Sequence, residues 1–329
     1  MSLPEKFSEF SLEFKQKLVP QVSQQRYKQE WAKYKKFLED NGAANSVTET
    51  TLQAYLLTQH KEGLSPTTLR THCSMLKKMT LCENVPQPDH VWKKLKGWWD
   101  NLVKNYVPEK AAVFTSKDLA AWINDSPEEN PVQVQKKCLA VVAYCGGLRS
   151  QEDYNLTWED FSFNEKDKEV VVKVKETKGN FQGRCFLVSD WKHYSLLDTY
   201  RKTFEKPTGF FYRAWNVRFG KWNKTRRGIK FFQLVPKEIA RALNFSNVDA
   251  YTHHAFRRTL ASSLHEAGAT RQMIKRAGGW QSDKVVEGYI AESVGEKRKC
   301  ADLLINHSNK KACRLNLSGT FHNCTFNIK

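Results

Sequence analysis

The chain has 329 residues, enough for about two domains of ~150 residues each, and its 40% apolar content is that of a globular protein. Its 53 Lys+Arg against 35 Asp+Glu leave a formal charge of +18, which fits a polyanionic partner, either nucleic acid or an acidic membrane surface. No run of about 18 apolar residues is present to span a bilayer, and Met1 to Phe10 is too polar for a signal peptide, so a soluble intracellular protein is expected.

From Phe7 to Tyr106 the apolar spacing predicts helices near 20–39, 48–60, 65–80 and 90–104. Asn41-Gly42 closes the first, and Ser65-Pro66 starts the third with a serine cap and a proline at the first helical position. In that third segment Leu69, Cys73, Leu76 and Met79 or Thr80 make one face, while Thr67, Arg70, Ser74, Lys77 and Lys78 make another. Such a polar, cationic face suits entry into a DNA major groove, and it equally suits an ordinary amphipathic surface helix. Asn105 to Ala112 reads as a linker, which divides the chain into a helical domain at 1–106, a linker at 107–112, a second domain at 113–307 and a tail at 308–329.

After the linker, Thr115 or Ser116 starts a helix, and a loop at Asp125–Pro131 leads to an apolar helix from about Val132 to Tyr144, stopped by Gly146-Gly147. Arg149 follows at the head of a short helix. The alternating run Glu169–Glu176, the turn Lys178-Gly179-Asn180 and the run Arg184–Val188 predict a β-hairpin. Helices at about Leu196–Phe204 and Pro236–Leu243 flank a basic loop around Lys221–Lys230, and further helices occupy Thr252–Ile290. The β-type run Leu315–Ile328 ends the chain, as a strand completing the protein's own sheet or, in the favoured reading, docking onto a neighbouring protomer. The eight cysteines are scattered without a C-x-x-C pair or a histidine at metal-ligand spacing, so reduced, mostly buried thiols are expected rather than disulfides or a zinc site.

One constellation carries chemistry. His254, Arg257, Trp280 and Tyr289 stand in an order that suits attack of a tyrosine hydroxyl on a DNA phosphodiester. That reaction must deprotonate a phenol of free pKa ~10, offset negative charge on the phosphorane-like transition state, and protonate the leaving 5′ oxygen. Arginine suits the second task because it stays protonated and grips non-bridging oxygens through a planar fork, so Arg149 and Arg257 are the candidates. His254 lies three residues before Arg257, on the same helical face, and serves proton transfer or phosphate binding. Trp280 can only donate through its indole, to orient a phosphate oxygen or buttress the tyrosine. Lys178, at the hairpin tip, is placed to protonate the leaving oxygen, and Tyr289 is the nucleophile.

These motifs are similar to those of the tyrosine recombinases, the phage-integrase and Cre-like family. Gly147-Leu148-Arg149-x-x-Glu152 resembles the first-arginine motif, His254-x-x-Arg257-Arg258-Thr259 the second, and Ala277-Gly278-Gly279-Trp280 through Gly288-Tyr289-Ile290 the third; the sequence outside them resembles eukaryotic Crypton-type members. The resemblance implies a mostly α fold with a small antiparallel sheet: a helical core-binding domain plus a catalytic domain, clamped around double-stranded DNA. It implies cutting and rejoining through a 3′-phosphotyrosyl intermediate, without cofactor or metal, by a homo-oligomer with a dimer at each site and a tetrameric synapse, for a mobile element. Residence would be nuclear in a eukaryote, otherwise cytoplasmic.

Plainer readings stand beside these. Arg149 fits a salt bridge to Glu152 or Asp153, and Glu152 fits a supporting role holding Arg149 or the His254 region. His253 competes with His254 but lacks the three-residue step, and Tyr251 precedes the arginine motif. Arg258 and Lys275 are candidates for backbone phosphates, as are Arg226, Arg227 and Lys230, these last three at least equally for a solvated loop. A type IB topoisomerase and a domesticated, inactive DNA-binding protein are the rival functions.

Overall fold

A computed structural model describes residues 10, 13–14, 17–44, 46–85, 87–107, 109–128, 130–175, 183–290, 297 and 300–305. Lys178 and the tail beyond 305 lie outside them. The fold is mostly helical with small antiparallel sheets, as expected. The chain forms two compact units, Met1–Glu109 and Lys110–Lys329. No helix among the described residues is long and apolar enough to cross a membrane.

The first unit contains helices α1 (Gln24–Asp40), α2 (Glu49–Lys61), α3 (Pro66–Cys82) and α4 (Asp89–Lys104). Its Ser65 start signal acts as read, the hydroxyl accepting from Thr68 N; Thr48 and Thr51, not singled out in the sequence, make a reciprocal capping box. Trp31, Tyr34, Leu38, Leu52, Leu56 and Leu76 are buried in its core. On α3, Leu69, Met75, Leu76, Met79 and Thr80 face inward, while Thr67, Arg70, Ser74 and Lys77 are exposed and Lys78 is half-buried. The cationic face is therefore outermost, although Arg70 lies over the Trp99 ring at 4.4 Å.

The second unit is built on α6 (Pro131–Gly146), whose run from Leu139 to Ala143 has no exposed surface. Around it lie α5 (Ser116–Asp125), α7 (Ser150–Tyr154), α8 (Trp191–Lys202), α9 (Ile229–Ala242) and α10 (His254–Glu266), with α11 (Arg271–Gly278) and α12 (Asp283–Ile290) following. Strands β1 (Phe161–Asn164), β2 (Glu169–Val174) and β3 (Arg184–Val188) pair antiparallel in that order, Val172 standing opposite Phe161 and Phe186. Ala112, read as linker, donates to the Ala250 carbonyl at 2.8 Å within this unit.

Three local expectations are corrected. The basic loop around Lys221–Lys230 is largely a strand: β4 (Arg213–Asn216) pairs with β5 (Lys221–Arg226), and Trp215 opposes Trp222 across the pair. Helix α9 begins at Ile229, not at Pro236, because Phe232, Val235 and Ile239 make a buried stripe that carries the helix through the proline. Helix α8 begins at Trp191, where the Asp190 carboxylate caps Lys192 N and His193 N.

Candidate active site

The site is assembled from four chain segments that end near one another. Helix α6 stops at Gly147, whose φ of +52° is the left-handed conformation that favours glycine; a Cβ there would also meet Leu260 Cδ2 of α10 at 2.7 Å. Two residues later Arg149 caps α7 with its guanidinium half exposed. Helix α10 supplies His254 and Arg257, and α11 turns at Gly279 to deliver Trp280. Gly278 is obligatory for that delivery, because a side chain there would run into the Trp280 ring.

Among the sequence-selected residues, the His254 Nε2 lies 2.9 Å from the Tyr289 hydroxyl, with the two rings edge to face. Trp280 flanks the same tyrosine at 5.6 Å between centroids and holds the Arg257 guanidinium over its other contacts, 4.4 Å from the ring. Arg257 is 1% exposed and its Nη1 donates to the Gly147 carbonyl. Its Nη2, like the buried Trp280 Nε1, has no hydrogen-bond partner among the described residues. Buried donors without acceptors are costly, so a pair in one site marks a place for an acceptor-rich ligand.

Glu152 holds the Arg149 side: its carboxylate accepts from Arg149 N at 3.0 Å and Arg149 Nη1 at 2.5 Å, and from Arg184 Nη2 at 3.2 Å. Burial pushes its pKa up, but the Arg149 amide and the Arg184 and Arg149 guanidiniums outweigh burial and hold it below the usual carboxylate value. The sequence reading missed Arg184, which also donates to the carbonyls of Gly146 at 2.7 Å and Ala277 at 3.1 Å. It thereby joins the end of α6 to the segment that carries Trp280. Its only signal in sequence is a cation at the first residue of a strand otherwise made of Cys185, Phe186, Leu187 and Val188.

His253 is separated from His254 by burial. It is 4% exposed and its Nε2 meets Asp153 Oδ2 at 2.9 Å, while Tyr212 donates to Asp153 Oδ1 at 2.8 Å. Burial raises the Asp153 pKa, against the opposing hydrogen bonds from His253 and Tyr212. This network, also missed, ties α7 to the start of α10. The pKa of His254 is lowered to about 4, first by partial burial of the ring and then by the charges of Arg257 and Arg258. Arg257 is lowered to about 10 by burial and by Arg149, so it remains a cation at neutral pH.

Other candidates fall elsewhere. Arg258 is 4% exposed, its Nη1 donates to the Ala111 carbonyl, and its guanidinium lies 5.9 Å from the Tyr289 ring centroid. Lys275 pairs with Asp283 at 2.9 Å and lines a cleft of about 650 Å³ beside Trp280. Arg226 and Arg227 are not on a solvated loop: Arg226 donates to Asn155 Oδ1 at 2.9 Å and Arg227 to Gln135 Oε1 at 3.1 Å. Tyr251 stacks on Phe245 and Phe114 in a separate aromatic cluster. Among the described residues no His/Cys/Asp/Glu group could hold a metal ion.

The family model described as the phage integrase family matches residues 113–296. No curated protein matches. Among solved structures, the chain is similar to the Tn1549 transposon integrase in complex with transposon right end DNA (15% identity, 88% of this chain and 98% of that one, TM-score 0.59). It is also similar to the XerH site-specific recombinase bound to its difH substrate in a pre-cleavage complex (15% identity, 83% and 76%, TM-score 0.57). At such identities the likeness speaks for the fold, and the family match speaks for descent. The two arginine motifs and the tryptophan–tyrosine motif all lie inside the matched residues, and the chain belongs to the phage integrase family of tyrosine recombinases.

Proposed function

We propose that this chain is a site-specific DNA recombinase that cuts and rejoins duplex DNA through a 3′-phosphotyrosyl ester on Tyr289. The observation that carries the reading is the 2.9 Å approach of His254 Nε2 to the Tyr289 hydroxyl, beside the two buried donors without acceptors, Arg257 Nη2 and Trp280 Nε1. The non-bridging oxygens of a phosphodiester satisfy both donors, and Arg149 faces the remaining charge from a half-exposed position. The DNA complexes of the Tn1549 integrase and XerH, which share the fold, support DNA as the partner.

In the step proposed, the phenol oxygen bonds to phosphorus as the P–O5′ bond breaks. The phenol proton passes to His254 Nε2, and the 5′ oxygen takes a proton from Lys178. Rejoining runs the same transfers backwards, and the ester retains the bond energy, so no nucleotide or metal is required. A neutral imidazole is needed, and a pKa of about 4 provides it. So weak a base cannot ionise a phenol of pKa ~10 in advance, so proton transfer must accompany formation of the P–O bond. The phosphate also offsets the arginine charges that depress His254, which makes the histidine a stronger base once DNA is bound.

In this reading Met1–Glu109 is the core-binding domain, presenting Thr67, Arg70, Ser74, Lys77 and Lys78 of α3 to DNA. Protomers assemble as a dimer on each site and a tetramer in synapsis, inside the cell, serving a mobile element. The test is covalent capture on a nicked suicide duplex with mapping of the linked residue and the cut. An adduct at Tyr289 with exchanged strands supports the reading; relaxation of supercoils without exchange would indicate a topoisomerase, and an adduct on another residue would remove Tyr289.

A further inference from the structure

From Lys206 to Lys237 the chain carries nine Lys+Arg and no Asp or Glu. The fold sorts six of these cations into two groups. Arg213, Arg226 and Arg227 turn inward as anchors of the β4–β5 hairpin. Arg213 donates to the carbonyls of Phe210 and Thr208, Arg226 lies 4.3 Å over both Tyr154 and Phe210 as well as bonding Asn155, and Arg227 bonds Gln135. The Tyr212–Asp153 bond stiffens the base further, and the Trp215 and Trp222 rings pair 4.8 Å apart one step from the turn.

Arg218, Lys221 and Lys224 point the other way, all exposed. At the tip, Arg218 and Lys221 bracket the Phe219 ring at 5.5 and 5.6 Å, while Phe219 is 63% exposed and Val217 85% exposed. Below the tip, Lys206, Lys221 and Lys224 share a cleft of about 1010 Å³ with Phe204, Trp222, the anchored Arg213 and Glu205. Exposed aromatic surface amid mostly positive charge, with Glu205 the one carboxylate lining the cleft, is the footprint of a nucleic-acid contact rather than of a solvated face. Because Arg226 fastens the hairpin to α7, the helix headed by Arg149, the arm is fixed to the body that carries the candidate site.

We propose that the β4–β5 hairpin is a rigid arm that grips the backbone of duplex DNA through Arg218, Lys221 and Lys224, with Phe219 laid against the sugars, as a contact separate from the cleavage site. The arm rests on the DNA partner of the function proposed above, and it reassigns backbone contact from Arg226 and Arg227, which are anchors, to the exposed Arg218, Lys221 and Lys224.

The experiment measures duplex binding by the full chain from 50 to 200 mM salt, for the unmodified protein and for Arg218→Gln/Lys221→Gln/Lys224→Gln. Freeing three phosphates from their cations makes the slope of log affinity against log salt shallower by about 2.7, with binding weaker by roughly tenfold or more. Covalent capture at saturating protein stays unchanged, as does the thermal midpoint, and Lys221→Arg/Lys224→Arg keeps the original slope. An unchanged slope in the triple variant overturns the arm, and the same result with lost self-association reassigns it to a protein interface. A shallower slope in a protein that forms no covalent adduct sinks the recombinase reading while leaving the arm standing. If the unmodified chain binds no duplex, both fall.

Discussion

The Tyr289 hydroxyl and His254 Nε2 lie 2.9 Å apart although the two side chains come from opposite ends of separate helices, α12 and α10. Tyr289→Phe therefore removes the proposed nucleophile and its hydrogen bond while leaving the ring against Trp280. Covalent capture should fall to background with duplex affinity unchanged in a filter-binding or anisotropy assay. His254→Ala should keep the nucleophile and slow single-turnover cleavage by roughly 10²–10⁴-fold.

The same histidine gives a pH signature. Its folded pKa, about 4, lies below its ordinary value of 6.5, so between those values the unfolded chain binds a proton that the folded chain does not. Folding is therefore unaffected by this group above about pH 6.5 and loses stability as the pH falls from there towards 4. Denaturant titrations of His254→Asn should show a flatter acid limb than the unmodified protein across that window. With DNA bound, imidazole resonances should titrate at higher pH, because the phosphate offsets Arg257 and Arg149; an unchanged midpoint would mean the phosphate does not reach them.

Asp153 is fully buried and bonded to both His253 and Tyr212, so removal of its carboxylate leaves two buried polar groups without a partner. Asp153→Ala is expected to cost about 3 kcal/mol, the scale of a broken buried ion pair. Calorimetry or chemical denaturation measures it. In the chain that keeps Asp153, His253→Gln, which can still donate to the carboxylate, should cost less than His253→Leu, which cannot.

Gly278→Ala tests the delivery of Trp280. Its methyl group would overlap the indole ring, and the tryptophan must swing away from both Arg257 and Tyr289. The expected cost is about 1–3 kcal/mol in stability. Cleavage should fall further than DNA affinity does, a split that a purely global destabilisation would not produce below the melting temperature.

Much of this arrangement was legible because it rests on local rules. Ser65-Pro66 announces a helix start through the side-chain oxygen it offers, and Gly146-Gly147 announces a stop that only a left-handed residue makes. The β4–β5 pair was not legible, since its residues are half-buried or exposed on both faces and its pairing depends on Trp215 meeting Trp222 across the turn. Periodicity has nothing to register in such a strand. His253 and His254, like Arg257 and Arg258, are adjacent residues of one type, and the three-residue step from His254 to Arg257 picked out the pair that meets Trp280 and Tyr289. Burial of His253 against Asp153 and of Arg258 against Ala111 became visible only with the tertiary fold.

Helix α7 has five residues, too few to hold a helical conformation by itself in water. It nevertheless carries Arg149 at its head, Glu152 and Asp153 in its turn and Tyr154 beneath Arg226. Its position is dictated by Arg184, His253, Tyr212 and Arg226, which arrive from four later parts of the chain. The cationic half of the site thus comes into being only after the whole second unit has closed around it. A chain in which those later segments have not closed would carry Tyr289 without Arg149 held in place by Glu152 and Arg184.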